Sequence, residues 1–155
     1  MKSPYRRIYM TEMKKLFTTS SIATGGRNGD AYLGPQRLHL KTRPAHSKRE
    51  GTDPEEMFGA GYAACFLSAL GEVGKRMGVD TSCAQAEAFV SLYAKSETEY
   101  VLGVELRVYI PGQSEEKTHE LLDIAHRTCP YSNATRGNIE VKLVALTGPL
   151  EIAPA

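Results

Sequence analysis

The sequence contains no tryptophan, only three cysteines and almost no net charge, with nineteen Lys and Arg against eighteen Asp and Glu. A formal charge of +1 supplies no long-range attraction to nucleic acid or acidic surfaces, so nucleic acid is not an expected partner. The odd cysteine count excludes a fully paired disulfide scaffold, and no two of the three form a CxxC. The four histidines (His39, His46, His119, His126) show no ligand spacing with the cysteines, which disfavours structural zinc. Also missing are an apolar signal segment and any uninterrupted apolar run of the roughly 20 residues that a spanning helix needs. The expectation is a soluble, cytoplasmic protein with no membrane partner, in which a disulfide is more often catalytic or sensing than structural.

The 155 residues at 41% hydrophobic content fit one compact domain. Residues 1–15 carry basic side chains and extra methionines and are expected to form a flexible extension, with a single domain over 16–155. LFTTSSIAT is rich in β-branched residues and ends at Gly25-Gly26, the pattern of a first strand. Asn28-Gly29 is a strong hairpin signal, with AYLG and RLHLKT as following strands. Residues 43–52 are polar and basic and read as a surface loop.

Helix signals then arrive together. Asp53 and Glu56 have capping-box spacing, Pro54 suits the first helical position, and Glu55 and Glu56 favour the positive end of the helix dipole. The segment that follows is apolar on nearly every face, so a central, buried helix ending near Gly78 is expected, with Cys65 in its middle. Two antiparallel strands, a helix over EEKTHELLDIAHRT, an irregular stretch after Pro130 and a strand over IEVKLVAL complete the order. The expected fold class is α+β, with helices covering an antiparallel sheet.

A cysteine in an apolar helix is ordinarily an inert core residue. A reactive one needs a nearby cation to stabilise its thiolate against desolvation. Arg27, in the tight Gly-Gly/Asn-Gly turn, is the candidate cation, and Glu55 is a candidate to orient its guanidinium through a bidentate pair. Each also has an ordinary role, as a solvated turn arginine and a first-turn charge. Cys129 lies at a helix end beside Pro130, where local unwinding is easy, and Cys83 has no evident partner.

Three segments, ATGGRNG, TDPEEMFGAGYAACF and CPYSNATRGNIEV, closely resemble segments of one family. That family is the organic hydroperoxide resistance proteins, the Ohr branch of the OsmC/Ohr superfamily, and the resemblance runs from about Leu16 to Leu146. It implies a cysteine peroxidase without metal, haem or other bound cofactor, with Cys65 as the attacking thiolate and Cys129 as the resolving thiol. Arg27 and Glu55 match the activating pair. It further implies bulky organic hydroperoxides as substrate, a dihydrolipoyl protein as external dithiol reductant, and an intertwined α+β homodimer with its sites at the interface. Phe58, Phe66 and Met57, with Tyr131 of the last motif, are candidates to line an acyl chain, the three helix residues having a core role as the alternative. Two departures stand out: the usual Gly-rich loop before the Pro-Glu motif is replaced by the basic RPAHSKREGTD, and the usual Asn is Asp53.

Helix arithmetic adds a constraint. Glu55 and Cys65 are ten residues apart, so one straight helix would separate them by about 15 Å along its axis and about 80° around it. Either Arg27 bridges a long gap, the helix bends, or Glu55 serves Cys65 of a second chain, and the small residues Gly59 to Ala64 favour the third option. A thiol redox sensor and a carrier of hydrophobic ligands are the alternatives from other functional classes.

Overall fold

The structure, a computed structural model, describes residues 13–153, in two compact units divided after Thr52. Most of the expected N-terminal extension lies outside the described residues.

The first unit is a three-stranded antiparallel meander of β1 (Ser21–Thr24), β2 (Asp30–Leu33) and β3 (Leu38–Lys41). Only the last four residues of LFTTSSIAT pair as a strand. The expected two-residue Asn28-Gly29 hairpin is instead a longer loop with a 3-10 turn over Gly26–Asn28. Positive φ falls on Gly25 (69°) and Gly26 (59°), so the left-handed step that a tight Asn-Gly turn would need is taken earlier. Thr42 closes this loop, its Oγ1 accepting from Gly29 N at 2.9 Å and donating to Gly26 O at 2.7 Å.

The second unit begins with α1 (Pro54–Met77) and continues through β4 (Gln85–Ala94), β5 (Tyr100–Tyr109), α2 (Glu115–Thr128), α3 (Pro130–Thr135) and β6 (Val141–Leu146). α1 starts on the expected capping box: Asp53 accepts from Glu56 N at 2.9 Å, and the Glu56 carboxylate accepts from Asp53 N at 3.3 Å. It stops at Gly78, which adopts the left-handed conformation at φ 68°. By length and hydropathy α1 could cross a membrane, but Tyr62, Phe66, Leu70 and Val73 pack it into the core.

The sheet of this unit has the order β4-β5-β6. β4 and β5 are antiparallel, whereas β6 pairs parallel to β5. This corrects the expectation of a wholly antiparallel sheet, because α2 and α3 form a crossover that returns the chain to the starting end of β5. β5 alternates, with Val104, Leu106 and Val108 buried against the helices. The helices cover one face only, so Phe89 and Tyr93, on the opposite face of β4, remain exposed in the single chain; Leu92 and Tyr100 are exposed as well, although they share the face of Val104 and Leu106.

α1 is likewise not buried all round. Ala60, Ala64 and Ser68, one turn apart, form an exposed stripe of small side chains. The stretch after Cys129, expected to be irregular, forms the one-and-a-half-turn α3.

Candidate active site

Cys65 is the twelfth of the 24 residues of α1, and Cys129 stands at the joint of α2 and α3. The joint follows from local chemistry. A proline at 130 disfavours helical geometry in the residue before it, and Cys129 is extended at φ −64° and ψ 124°. Its N–H still donates to Ala125 O at 2.8 Å, while its carbonyl accepts from Asn133 N at 2.9 Å. One residue thus closes α2 and opens α3.

The joint brings two sulfurs together. Cys129 Sγ lies 3.7 Å from Cys65 Sγ, both as free thiols, with Cys129 fully buried and Cys65 half-buried. Burial pushes the Cys65 thiol above its ordinary pKa, because desolvation penalises the thiolate. The backbone N–H of Tyr131 opposes this by donating to the sulfur, and Cys129 adds to the rise through the contact between the two sulfurs first and through charge repulsion second. Cys83, the third cysteine, is exposed and has Ser82 as its neighbour.

Aromatic rings flank the pair. Phe58 meets Tyr62 edge-on at 5.9 Å between centroids, and the Tyr131 ring lies 5.7 Å from Tyr62 and 6.2 Å from Phe58. Gly61, one turn before Cys65, makes this possible: a Cβ there would stand 3.1 Å from Tyr131 Oη. Gly59 serves β4 in the same way, its missing Cβ leaving room for Val90 Cγ2. Of the four residues expected to line an acyl chain, Phe58, Met57 and Tyr131 keep some exposed surface. Phe66 does not; it is wholly buried and belongs to the core, the alternative already weighed for it.

Glu55 is in the first turn of α1, in the same uninterrupted helix as Cys65, so the separation of about 15 Å along the axis applies within the chain. Arg27 is half-buried in the 3-10 turn of the first unit. Among the described residues, no group of three or more His, Cys, Asp or Glu side chains could hold a metal ion.

A set of polar side chains, buried except for the half-buried His126, escaped sequence reasoning: Tyr62, His126, Ser132 and Thr135. Tyr62 and Ser132 are seventy residues apart and meet only in the folded chain. The one available signal was the polar content of HRTCPYSNAT around Cys129.

The profile of the family described as OsmC-like protein matches residues 46–144. The chain is 41% identical over 132 residues to the organic hydroperoxide resistance protein OhrB of Bacillus subtilis, covering 83% of this chain and 96% of that one. It is 36% identical over 142 residues to the organic hydroperoxide resistance protein of Xanthomonas axonopodis pv. citri, covering 84% and 94%. The crystal structure of Bacillus subtilis OhrB superposes with a TM-score of 0.79 at 37% identity, over 85% of this chain and all of that one. With most of both chains aligned, this protein belongs to the organic hydroperoxide resistance proteins of the OsmC/Ohr superfamily.

Proposed function

We propose that this protein is a cysteine peroxidase that reduces organic hydroperoxides, those of fatty acids included, to alcohols. The observation that carries the reading is the 3.7 Å approach of two free thiols, one half-buried and one fully buried, at a helix joint. The names of the relatives, organic hydroperoxide resistance proteins, supply the substrate class.

The Cys65 thiolate attacks the distal peroxide oxygen; the O–O bond breaks, and the leaving alkoxide takes a proton to become the alcohol. Cys65 is left as a sulfenic acid. Cys129 then displaces the hydroxyl, which departs with the thiol proton as water, and the Cys65–Cys129 disulfide forms. An external dithiol, dihydrolipoamide on a carrier protein, reopens it by thiolate exchange and becomes the disulfide itself. The cycle needs no metal or haem.

Burial first, and the neighbouring Cys129 after it, hold the Cys65 thiol up, so the reaction needs a cation. Arg27 fills that role, lowering the thiolate pKa and stabilising charge on the leaving oxygen, with Glu55 orienting its guanidinium. The reach of Glu55 along α1 favours a site shared between two chains. The exposed Ala60, Ala64 and Ser68 stripe and the bare aromatic face of the sheet support a homodimer. Phe58, Met57 and Tyr131 then line the path of an acyl chain, and the reducing cytoplasm is the compartment in which the thiols reset.

The test is a peroxidase assay with cumene hydroperoxide and hydrogen peroxide, using dihydrolipoamide and then thioredoxin as reductant. Faster turnover of the organic substrate with dihydrolipoamide is expected; failure to reduce either peroxide with either dithiol would refute the reading.

A further inference from the structure

Four polar side chains on α1, α2 and α3, the helices that carry the two sulfurs, meet where those helices pack, three of them buried and His126 half-buried. Tyr62 Oη lies 3.0 Å from Ser132 Oγ and 3.1 Å from Thr135 Oγ1. Ser132 Oγ lies 2.8 Å from His126 Nδ1, and Thr135 Oγ1 lies 3.2 Å from the Ser132 carbonyl oxygen. Tyr62 and Ser132 are wholly buried.

Counting protons gives the chain a direction. A carbonyl only accepts, so the single hydroxyl proton of Thr135 goes to Ser132 O. Thr135 Oγ1 therefore accepts from Tyr62, whose only proton is then committed. Ser132 must donate to Tyr62, and is left to accept from His126. The imidazole Nδ1 thus carries a hydrogen, a tautomer assigned by the count. Every hydroxyl donates once and accepts once, from His126 through Ser132 and Tyr62 to Thr135.

The chain brackets Cys129 and reaches the turn of α1 before Cys65. His126 stands three residues before Cys129, Ser132 three after it, and Tyr62 three before Cys65. It ties the last turn of α2 and the whole of α3 to α1 across the Cys129-Pro130 joint. A helix of six residues has little stability of its own, so tertiary bonds hold α3 in place. An apolar set of the same shape would stabilise the fold about as well, so what the polar chain adds is a single geometry.

We propose that His126 is a positioning residue for disulfide formation: its Nδ1–H, acting through Ser132 and Tyr62, holds the helix joint so that Cys129 Sγ remains against Cys65 Sγ. This rests on the two-cysteine reading above. In the step concerned, Cys129 attacks the Cys65 sulfenic sulfur, the S–S bond forms, the S–O bond breaks and water leaves. A sulfenic acid that waits is open to a second peroxide and to irreversible sulfinic acid. The joint therefore governs survival of the enzyme and not the first attack.

Rapid-quench single turnovers with cumene hydroperoxide separate the two steps, with mass spectrometry counting sulfenic acid, disulfide and sulfinic acid. His126→Asn keeps an N–H donor near the Nδ1 position, His126→Gln moves it out toward the Nε2 position, and His126→Ala removes it. Peroxide consumption in the first phase should be unchanged in all three. Disulfide formation should slow about tenfold in the Ala and Gln variants, the size of one lost neutral hydrogen bond, and recover in the Asn variant. Tyr62→Phe, which breaks the chain in the middle, should match the Ala variant. Equal rates in the Asn and Gln variants, or unslowed disulfide formation in the Ala variant, would overturn the assignment. If the Ala variant does not fold, the contrast between Asn and Gln decides. A wild-type protein that consumes one equivalent of peroxide without forming the Cys65–Cys129 disulfide would instead overturn the two-cysteine reading beneath it.

Discussion

Cys65 and Cys129 are sixty-four residues apart in sequence, yet their Sγ atoms stand 3.7 Å apart, one in the middle of the longest helix and the other where two helices join. A disulfide requires about 2.05 Å, so the pair needs only a small closing motion. The joint at Pro130, where no helical hydrogen bond runs through the proline nitrogen, is the natural place for it.

The two sulfurs should therefore separate by function. Cys65→Ser is expected to abolish peroxide reduction, whereas Cys129→Ser should complete one oxidation and then recycle poorly. Mass spectrometry after peroxide should find the Cys65–Cys129 crosslink in the wild type. A dominant crosslink through the exposed Cys83 would refute the assignment.

Arg27→Ala should raise the Cys65 pKa, each unit being about 1.4 kcal/mol of lost thiolate preference. It should also slow peroxide reduction by about a hundredfold or more, the usual loss for a positioned group facing developing charge. Arg27→Lys should recover only part, because an ammonium cannot make the guanidinium fork. Thiolate absorbance followed against pH is the direct measurement; an unshifted curve in the alanine variant would remove Arg27 from the site.

Glu55 and Cys65 share α1 but lie about three turns apart. Mixing Glu55→Ala and Cys65→Ser proteins, each inactive, under subunit exchange should restore one complete site per heterodimer. Heterodimers seen by native mass spectrometry with no return of activity would place the glutamate's action within its own chain.

His126 is held below its ordinary pKa of 6.5 by burial first and Arg136 second, with Asp123 pulling the other way. Unfolding frees the imidazole, so as pH falls through 6.5 the unfolded state binds more protons and stability drops, until the lower folded-state pKa is passed. Asn at this position does not titrate. Urea unfolding of His126→Asn should therefore lose less stability than wild type between about pH 7 and pH 5. Parallel losses in the two proteins would show that His126 plays no part in acid sensitivity.

Much of this protein was legible locally. The capping box at Asp53 and Glu56, the stop at Gly78 and the proline after Cys129 act over a few residues, so the sequence by itself determined where α1 begins and ends and where α2 stops, though not the short α3 that follows. The three motifs carried the family, and with it the expectation that Cys65 and Cys129 work together, two thiols that the fold sets 3.7 Å apart. Other features depend on distant segments and belong to the tertiary structure alone. The parallel pairing of β6 with β5 comes from the crossover that α2 and α3 make, and the exposed stripe on α1 is the side of that helix on which no other element of the single chain packs. Burial of Phe66 needs the whole core assembled, and the seat of the Tyr131 ring on bare Gly61 and the hydrogen-bonded chain from His126 to Thr135 require α1 to meet residues about seventy positions onward. Local propensities reach three or four residues, and only packing joins groups that far apart.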